Sequence, residues 1–129
     1  WTLIDGPPGT GCAAKSALTG VDYAVLVTEP TPAGTHDLER VISLLAFFGI
    51  PGGVVVNKST IHRQTTHAVR RLVRQRELDW LGEIPFDRSV AAAVASREPY
   101  PSTHDDEITD RLRGIWGDIQ AATRPSGAG

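Results

Sequence analysis

The 129-residue sequence predicts an α/β fold, with a mostly parallel sheet flanked by helices on both faces. Two observations carry this prediction. Four short runs are rich in β-branched residues: residues 1–4 (WTLI), 23–28 (YAVLVT), 53–56 (GVVV) and 80–84 (WLGEI). Between them, apolar residues recur at helical spacing. Near-continuous apolar strands alternating with helices are the pattern of a parallel sheet covered on both sides, because each crossover helix hides one face.

Taken in order, residues 12–18 form one short helix after the first run. Residues 36–48 then align Leu38, Val41, Ile42, Leu45 and Phe48 on one stripe beside Asp37, Glu39 and Arg40. Residues 60–78 carry Ile61, Ala68, Leu72 and Val73, and a short helix is predicted over 88–97. A last helix over 105–122 aligns Ile108, Leu112, Ile115, Trp116 and Ile119. Its acidic residues, Asp105, Asp106, Glu107, Asp110 and Asp118, argue for core packing of the apolar stripe and against a basic membrane-surface helix.

Composition excludes several classes. A formal charge of −2 gives no bulk attraction to nucleic acid or anionic membrane. Residues 62–76 do form a basic stretch with Arg63, Arg70, Arg71, Arg74 and Arg76, but no aromatic residue interleaves them, so a solvated helix face is expected. Cys12 is the only cysteine, which rules out an internal disulfide and points to a reduced, cytoplasmic setting. A buried thiol is expected there. No apolar run approaches the roughly 20 residues of a membrane span. The sequence lacks Met and opens inside an apolar run, so a piece of a longer chain is expected, ending in a disordered tail over 123–129.

In parallel sheets ligands bind beyond the carboxyl ends of the strands. The first run delivers Asp5 and GPPGTG there, the second TEPTPAG, the third Asn57 and Lys58, and the fourth IPFD. The stretch IDGPPGTGCAAKS has the glycine spacing of a phosphate loop, G-x-x-x-x-G-K-[ST], but Lys15 and Ser16 arrive three residues late. On a helix that delay moves the ammonium roughly 4.5 Å along the axis and about 60° short of a full turn. It is therefore not a phosphate loop. An Asp directly after a strand, with a glycine-bearing loop behind it, is instead how phosphate-loop NTPases hold a metal-bound water and sense the γ-phosphate. The same residues also serve as an ordinary capping turn.

Asn57 and Lys58 match the first half of an N-K-x-D base-recognition element, but Thr60 stands where its Asp would be, which removes support for guanine. Plain turn chemistry is the competing reading. No histidine or cysteine grouping has metal-ligand spacing, and no nucleophile elbow is present.

Together, LIDGPPGTGC, LVTEPTPAGTHDLERV, FGIPGGVVVNK and LGEIPFDRSVAAAV resemble, in order and spacing over residues 1–100, the second half of the MinD/ParA/Mrp family of dimeric phosphate-loop ATPases. Within it, the likeness is to MinD-like ATPases with an inserted ferredoxin-type iron–sulfur domain. The resemblance implies ATP/ADP and Mg²⁺ as ligands. Asp5 would be catalytic and hold the metal through water, with Gly6, Pro7, Pro8 and Gly9 as the γ-phosphate-sensing loop and Gly9 counted in the catalytic set. Asn57, with Lys58 beside it, would contact adenine, and Pro85 and Phe86 would line the base pocket, with residues 28–32 next to the nucleotide.

The family's own phosphate loop lies N-terminal to all of these motifs, as do the cluster cysteines of ferredoxin-inserted members. The resemblance therefore implies that residues 1–122 are the C-terminal half of an ATPase domain, which alone would not turn over ATP. Any iron–sulfur cluster would sit in the missing part. The intact form would use ATP to drive a homodimer switch, serving iron–sulfur or metal-cofactor assembly on a client metalloprotein. A half-sheet exposes an edge and apolar helix faces, so self-association through the truncated face is expected. The alternative is a non-catalytic α/β module that binds a partner protein.

Overall fold

The computed structural model describes residues 1–125. Its sheet has three parallel strands, β1 (Ala24–Thr28), β2 (Gly52–Asn57) and β3 (Asp79–Ile84), in spatial order β1-β2-β3. Around them lie α1 (Cys12–Leu18), α2 (Pro32–Phe48), α3 (Arg63–Gln75), α4 (Arg88–Ala95), α5 (Tyr100–Thr103) and α6 (Glu107–Ala122). The predicted α/β class, a parallel sheet flanked by helices, is observed. No helix among the described residues is long and apolar enough to cross a membrane.

The central strand explains the packing. Val54 and Val56 of β2 are completely buried, and on their face Leu38 and Ile42 of α2 meet Val69 and Val73 of α3. Leu26, Leu72, Leu78 and Trp80 close the edges of that cluster. Burying each such side chain contributes about 1.5–3 kcal/mol. On the opposite face α6 covers β3, with Ile115 against Gly82. There Ala93, Tyr100 and Ile108 form a second cluster with Ile84, Val90 and Leu112.

Register runs evenly from Ala24↔Gly52 to Thr28↔Val56, whereas β3 slips by one residue at Leu81, so that Val54 pairs with Trp80 and Val55 with Gly82. Across the start of the sheet the Tyr23 hydroxyl donates to Asp79 over 2.8 Å. Burial, reinforced by that carboxylate, pushes the phenol well above its usual range. Gly53 lies under this contact, where any Cβ would collide with the Tyr23 hydroxyl and with Leu81.

Helix starts follow their caps. Thr31 accepts from Gly34 N–H at α2, with Pro32 in the first turn, and His62 accepts from Thr65 N–H at α3. Asp87 and Asp106 cap α4 and α6. The expected 60–78 helix is trimmed at both ends: residues 58–61 form a turn, and the chain leaves the helix after Gln75 toward β3. Ile61 is consequently exposed. On the basic helix, Arg70 lies 5.3 Å from the centre of the Trp80 ring, an aromatic partner that linear spacing hid.

Two expectations fail. Residues 1–4 form no strand, because a strand exists only through a partner and among the described residues β1 is bonded to β2 alone. Trp1, Leu3 and Ile4 are left exposed, with the Trp1 ring 5.6 Å from that of Trp116. Cys12 is exposed, not buried, because α1 buries only Ala14. The expected tail from residue 123 falls, over residues 126–129, outside the described residues; Thr123 itself caps α6 by donating its N–H to the Ile119 carbonyl.

The two acidic caps are joined. The Tyr100 hydroxyl donates to Asp106 at 2.6 Å and lies 2.7 Å from the Ser89 hydroxyl, which donates to Asp87 at 2.6 Å. The Ser89 hydroxyl holds the Asp87 carboxyl below its usual range, and the Tyr100 hydroxyl does the same for Asp106. A carboxylate whose pKa is lower folded than unfolded stabilises fully above the unfolded value, about 3.9, and loses that contribution as pH falls through the folded value. Thermal unfolding followed from pH 7 to pH 2 is therefore expected to show a midpoint that drops below about pH 4. The drop should be smaller in Asp106→Asn, which keeps the cap but cannot titrate; identical acid limbs would contradict the linkage.

Candidate functional site

The carboxyl ends of β1, β2 and β3 set three loops side by side on one rim, and their positions follow from the parallel register. After β1, the buried Thr28 donates its hydroxyl to the Gly34 carbonyl over 3.1 Å, folding residues 28–34 back on themselves. That fold presents the Glu29 carboxylate to Lys58, 2.7 Å from its ammonium.

After β2, the Asn57 side-chain oxygen accepts from the Lys58 N–H at 2.9 Å. Lys58 itself adopts a left-handed backbone, φ 53°, a conformation that non-glycine residues rarely hold. Ser59 then donates its N–H to the Ile84 carbonyl at 2.9 Å, and its own carbonyl accepts from the Thr66 hydroxyl at 2.8 Å. After β3, Phe86 donates its N–H to the Thr60 hydroxyl oxygen at 3.1 Å, with its ring half exposed.

Residues 5–9 meet this rim from the other side. Asp5, Gly6, Pro7, Pro8 and Gly9 are all exposed and line a cleft of about 1520 Å³ together with Thr28, Glu29 and Thr31. Gly9 holds φ 84°, which only glycine reaches without strain. The loop is tethered at Thr10, whose hydroxyl accepts from Arg40 of α2 at 2.8 Å.

The structure thus gathers the sequence-predicted residues into two groups. Asp5, Gly6, Pro7, Pro8 and Gly9 share the cleft with the 28–31 turn, while Asn57, Lys58, Pro85 and Phe86 lie outside it on the neighbouring loops. The Glu29–Lys58 ion pair joins the groups. Sequence reasoning missed that pair, the Arg40 tether and the bond made by Thr60. Each links residues far apart in the chain, and no local spacing encodes it.

The donor set fits a purine better than it fits phosphate. With the Asn57 oxygen engaged by Lys58, the carboxamide nitrogen presents donors suited to a ring nitrogen. The half-exposed Phe86 ring offers a stacking face. The exposed Asp5 carboxylate suits a cation held through water, and no group of three or more metal-ligating side chains occurs among the described residues. Lys58, on the rim, is already paired with Glu29, so it is not a free cation for a phosphate.

No family model matches the sequence. Among curated proteins, the chain is 31% identical over 120 residues to the septum site-determining protein MinD of Bacillus subtilis, covering 89% of this chain and 45% of that protein. It is 27% identical over 120 residues to an uncharacterized protein of Methanocaldococcus jannaschii, covering 89% of this chain and 39% of the relative. An iron-sulfur cluster carrier protein of Saccharolobus solfataricus is 28% identical over 124 residues, covering 86% and 42%. The chain therefore spans less than half the length of these relatives. Two solved structures share its fold. The MinD cell division protein of Aquifex aeolicus has a TM-score of 0.76 at 20% identity, over 93% of this chain and 52% of that one. The cell division ATPase MinD of Pyrococcus furiosus has 0.75 at 21%, over 92% and 51%. In sequence the chain is thus similar to part of MinD of Bacillus subtilis and to part of an iron-sulfur cluster carrier protein, and it shares the fold of the two MinD structures.

Proposed function

We propose that this chain is the C-terminal, adenine-nucleotide-binding half of a MinD-like ATPase whose intact form hydrolyses ATP to drive a dimer switch. The observation that carries the reading is the cross-tied rim. Asn57 and the Pro85–Phe86 segment occupy adjacent strand ends, and an ion pair connects them to the cleft where Asp5 and Gly9 lie. Likeness to an iron-sulfur cluster carrier protein favours a role in iron–sulfur or metal-cofactor assembly, with an inserted ferredoxin-type domain in the remaining polypeptide and a metalloprotein client.

In this reading Asn57 donates to the adenine ring and Phe86 covers it, while Lys58 keeps Asn57 oriented through its backbone N–H. Asp5 would hold Mg²⁺ through water, and the loop through Gly9 would respond to the outer phosphate. The bound Mg²⁺ would neutralise charge on the transferring phosphoryl group. The principal phosphate grip belongs to the N-terminal half, so the isolated chain is inactive.

Isothermal titration of Mg²⁺-ATP, with the N-terminal half supplied, is expected to give saturable binding that Asp5→Ala and Asn57→Ala each weaken about tenfold, the worth of one good hydrogen bond. ATP should outcompete GTP. Absence of binding would overturn this reading in favour of a partner-binding module without nucleotide chemistry.

The isolated chain carries an open edge at β1, with Val25 and Val27 exposed beside Trp1, Leu3 and Ile4. It is expected to self-associate through this face, as unpaired apolar edges do. Analytical ultracentrifugation at high concentration should find dimers or larger species, and Val27→Lys should shift them toward monomer. A clean wild-type monomer would count against the self-association.

A further inference from the structure

The bond between Thr60 and Phe86 follows from which backbone acceptors are taken where β2 and β3 end. Ser59 and Ile84 continue the parallel ladder by one backbone bond past Asn57, 2.9 Å long. Alternate residues of a parallel strand direct their N–H groups at one neighbour, so the next donor aimed at β2 is the Phe86 N–H, with Pro85 directed away. The Lys58 and Ser59 carbonyls already accept from the Ile61 N–H at 3.1 Å and the Thr66 hydroxyl at 2.8 Å, and the Phe86 N–H goes instead to the Thr60 hydroxyl oxygen at 3.1 Å. A side chain thus takes over where the backbone ladder ends. The Phe86 ring is half exposed, so its stance depends on where its backbone is held. The loop that holds it is the one that carries Asn57, and that loop is anchored from behind by the Thr66 hydroxyl on the Ser59 carbonyl at 2.8 Å.

We propose that Thr60 is a positioning residue of the base pocket: its hydroxyl fastens the Pro85–Phe86 wall to the loop bearing Asn57, so that the two sides of the pocket keep one fixed spacing. This rests on the adenine-nucleotide reading above. Thr60 touches Phe86 and not the ligand. Its effect is therefore specific to ligands that carry a base, and a ligand made of phosphate alone is indifferent to it.

The experiment compares wild type, Thr60→Val, which keeps the shape and removes the acceptor, and Thr60→Ser, which keeps the acceptor. Affinities for Mg²⁺-ATP and for inorganic tripolyphosphate are measured with the N-terminal half supplied, and exchange of the Phe86 amide is followed by NMR. Thr60→Val is expected to weaken ATP about five- to tenfold, to leave tripolyphosphate unchanged and to speed Phe86 exchange, with Thr60→Ser restoring both. Equal weakening of both ligands, or failure of Ser to restore ATP affinity, would mean a general structural role and overturn the proposal. Unchanged ATP affinity in Thr60→Val would overturn it while leaving the nucleotide reading intact. If wild type binds tripolyphosphate but not ATP, or binds neither, the nucleotide reading itself fails and the proposal falls with it, whatever the Phe86 amide does.

Discussion

The rest of the structure depends on β2 being hydrogen-bonded on both sides. Among the described residues Gly52–Asn57 is the only strand with a neighbour at each edge, and its Val54 and Val56 are wholly buried. An extended segment can bury its backbone only when both edges are satisfied, so the flanking strands are a condition for this core. Once β2 is fixed, register determines where β1 and β3 end, and with them the three loops of the rim. The site is therefore a by-product of the core: the same strand that unites α2 and α3 also delivers Asn57.

How far the sequence reveals this differs between elements. The three paired strands and the helices other than α5 were legible because each writes its burial into a local period, as Leu38, Ile42 and Leu45 do in α2, whereas the four-residue α5 is too short to show one. The run over residues 1–4 has the same composition and is no strand. Its residues carry a preference for extended backbone, but pairing is a property of two segments, and β1 offers it no bond. Cys12 misleads for a related reason: a short helix that buries only Ala14 can leave an apolar side chain outside. Composition reports what a segment tolerates, and the neighbours decide what it does.

The candidate site divides along the same line. Asp5, Gly9, Asn57 and Phe86 could be singled out because strand ends are recognisable and because they resemble known motifs. Thr60 was visible only as a missing aspartate. Its bond to Phe86 spans 26 positions and depends on the shift at Leu81 that sets where β3 ends. Glu29 and Lys58 lie in separate loops, and only the packed sheet brings their charges within 2.7 Å.

Lys58 shows why such ties carry more than their own energy. A left-handed non-glycine residue costs of order 1–3 kcal/mol, whereas an ion pair as exposed as Glu29–Lys58 contributes about 0–1 kcal/mol. The ion pair alone does not offset the strain. What holds the turn is the sum of its neighbours: Asn57 accepting from Lys58, Ser59 bonded to Ile84, and Thr66 closing on the Ser59 carbonyl. All of these bonds run through the loop that presents Asn57. A relaxed turn could keep the ion pair, since a lysine side chain has the reach to find Glu29 from several backbone conformations. It would not keep the Asn57 carboxamide oxygen pinned to the Lys58 N–H. The strain is thus the consequence of orienting one side chain.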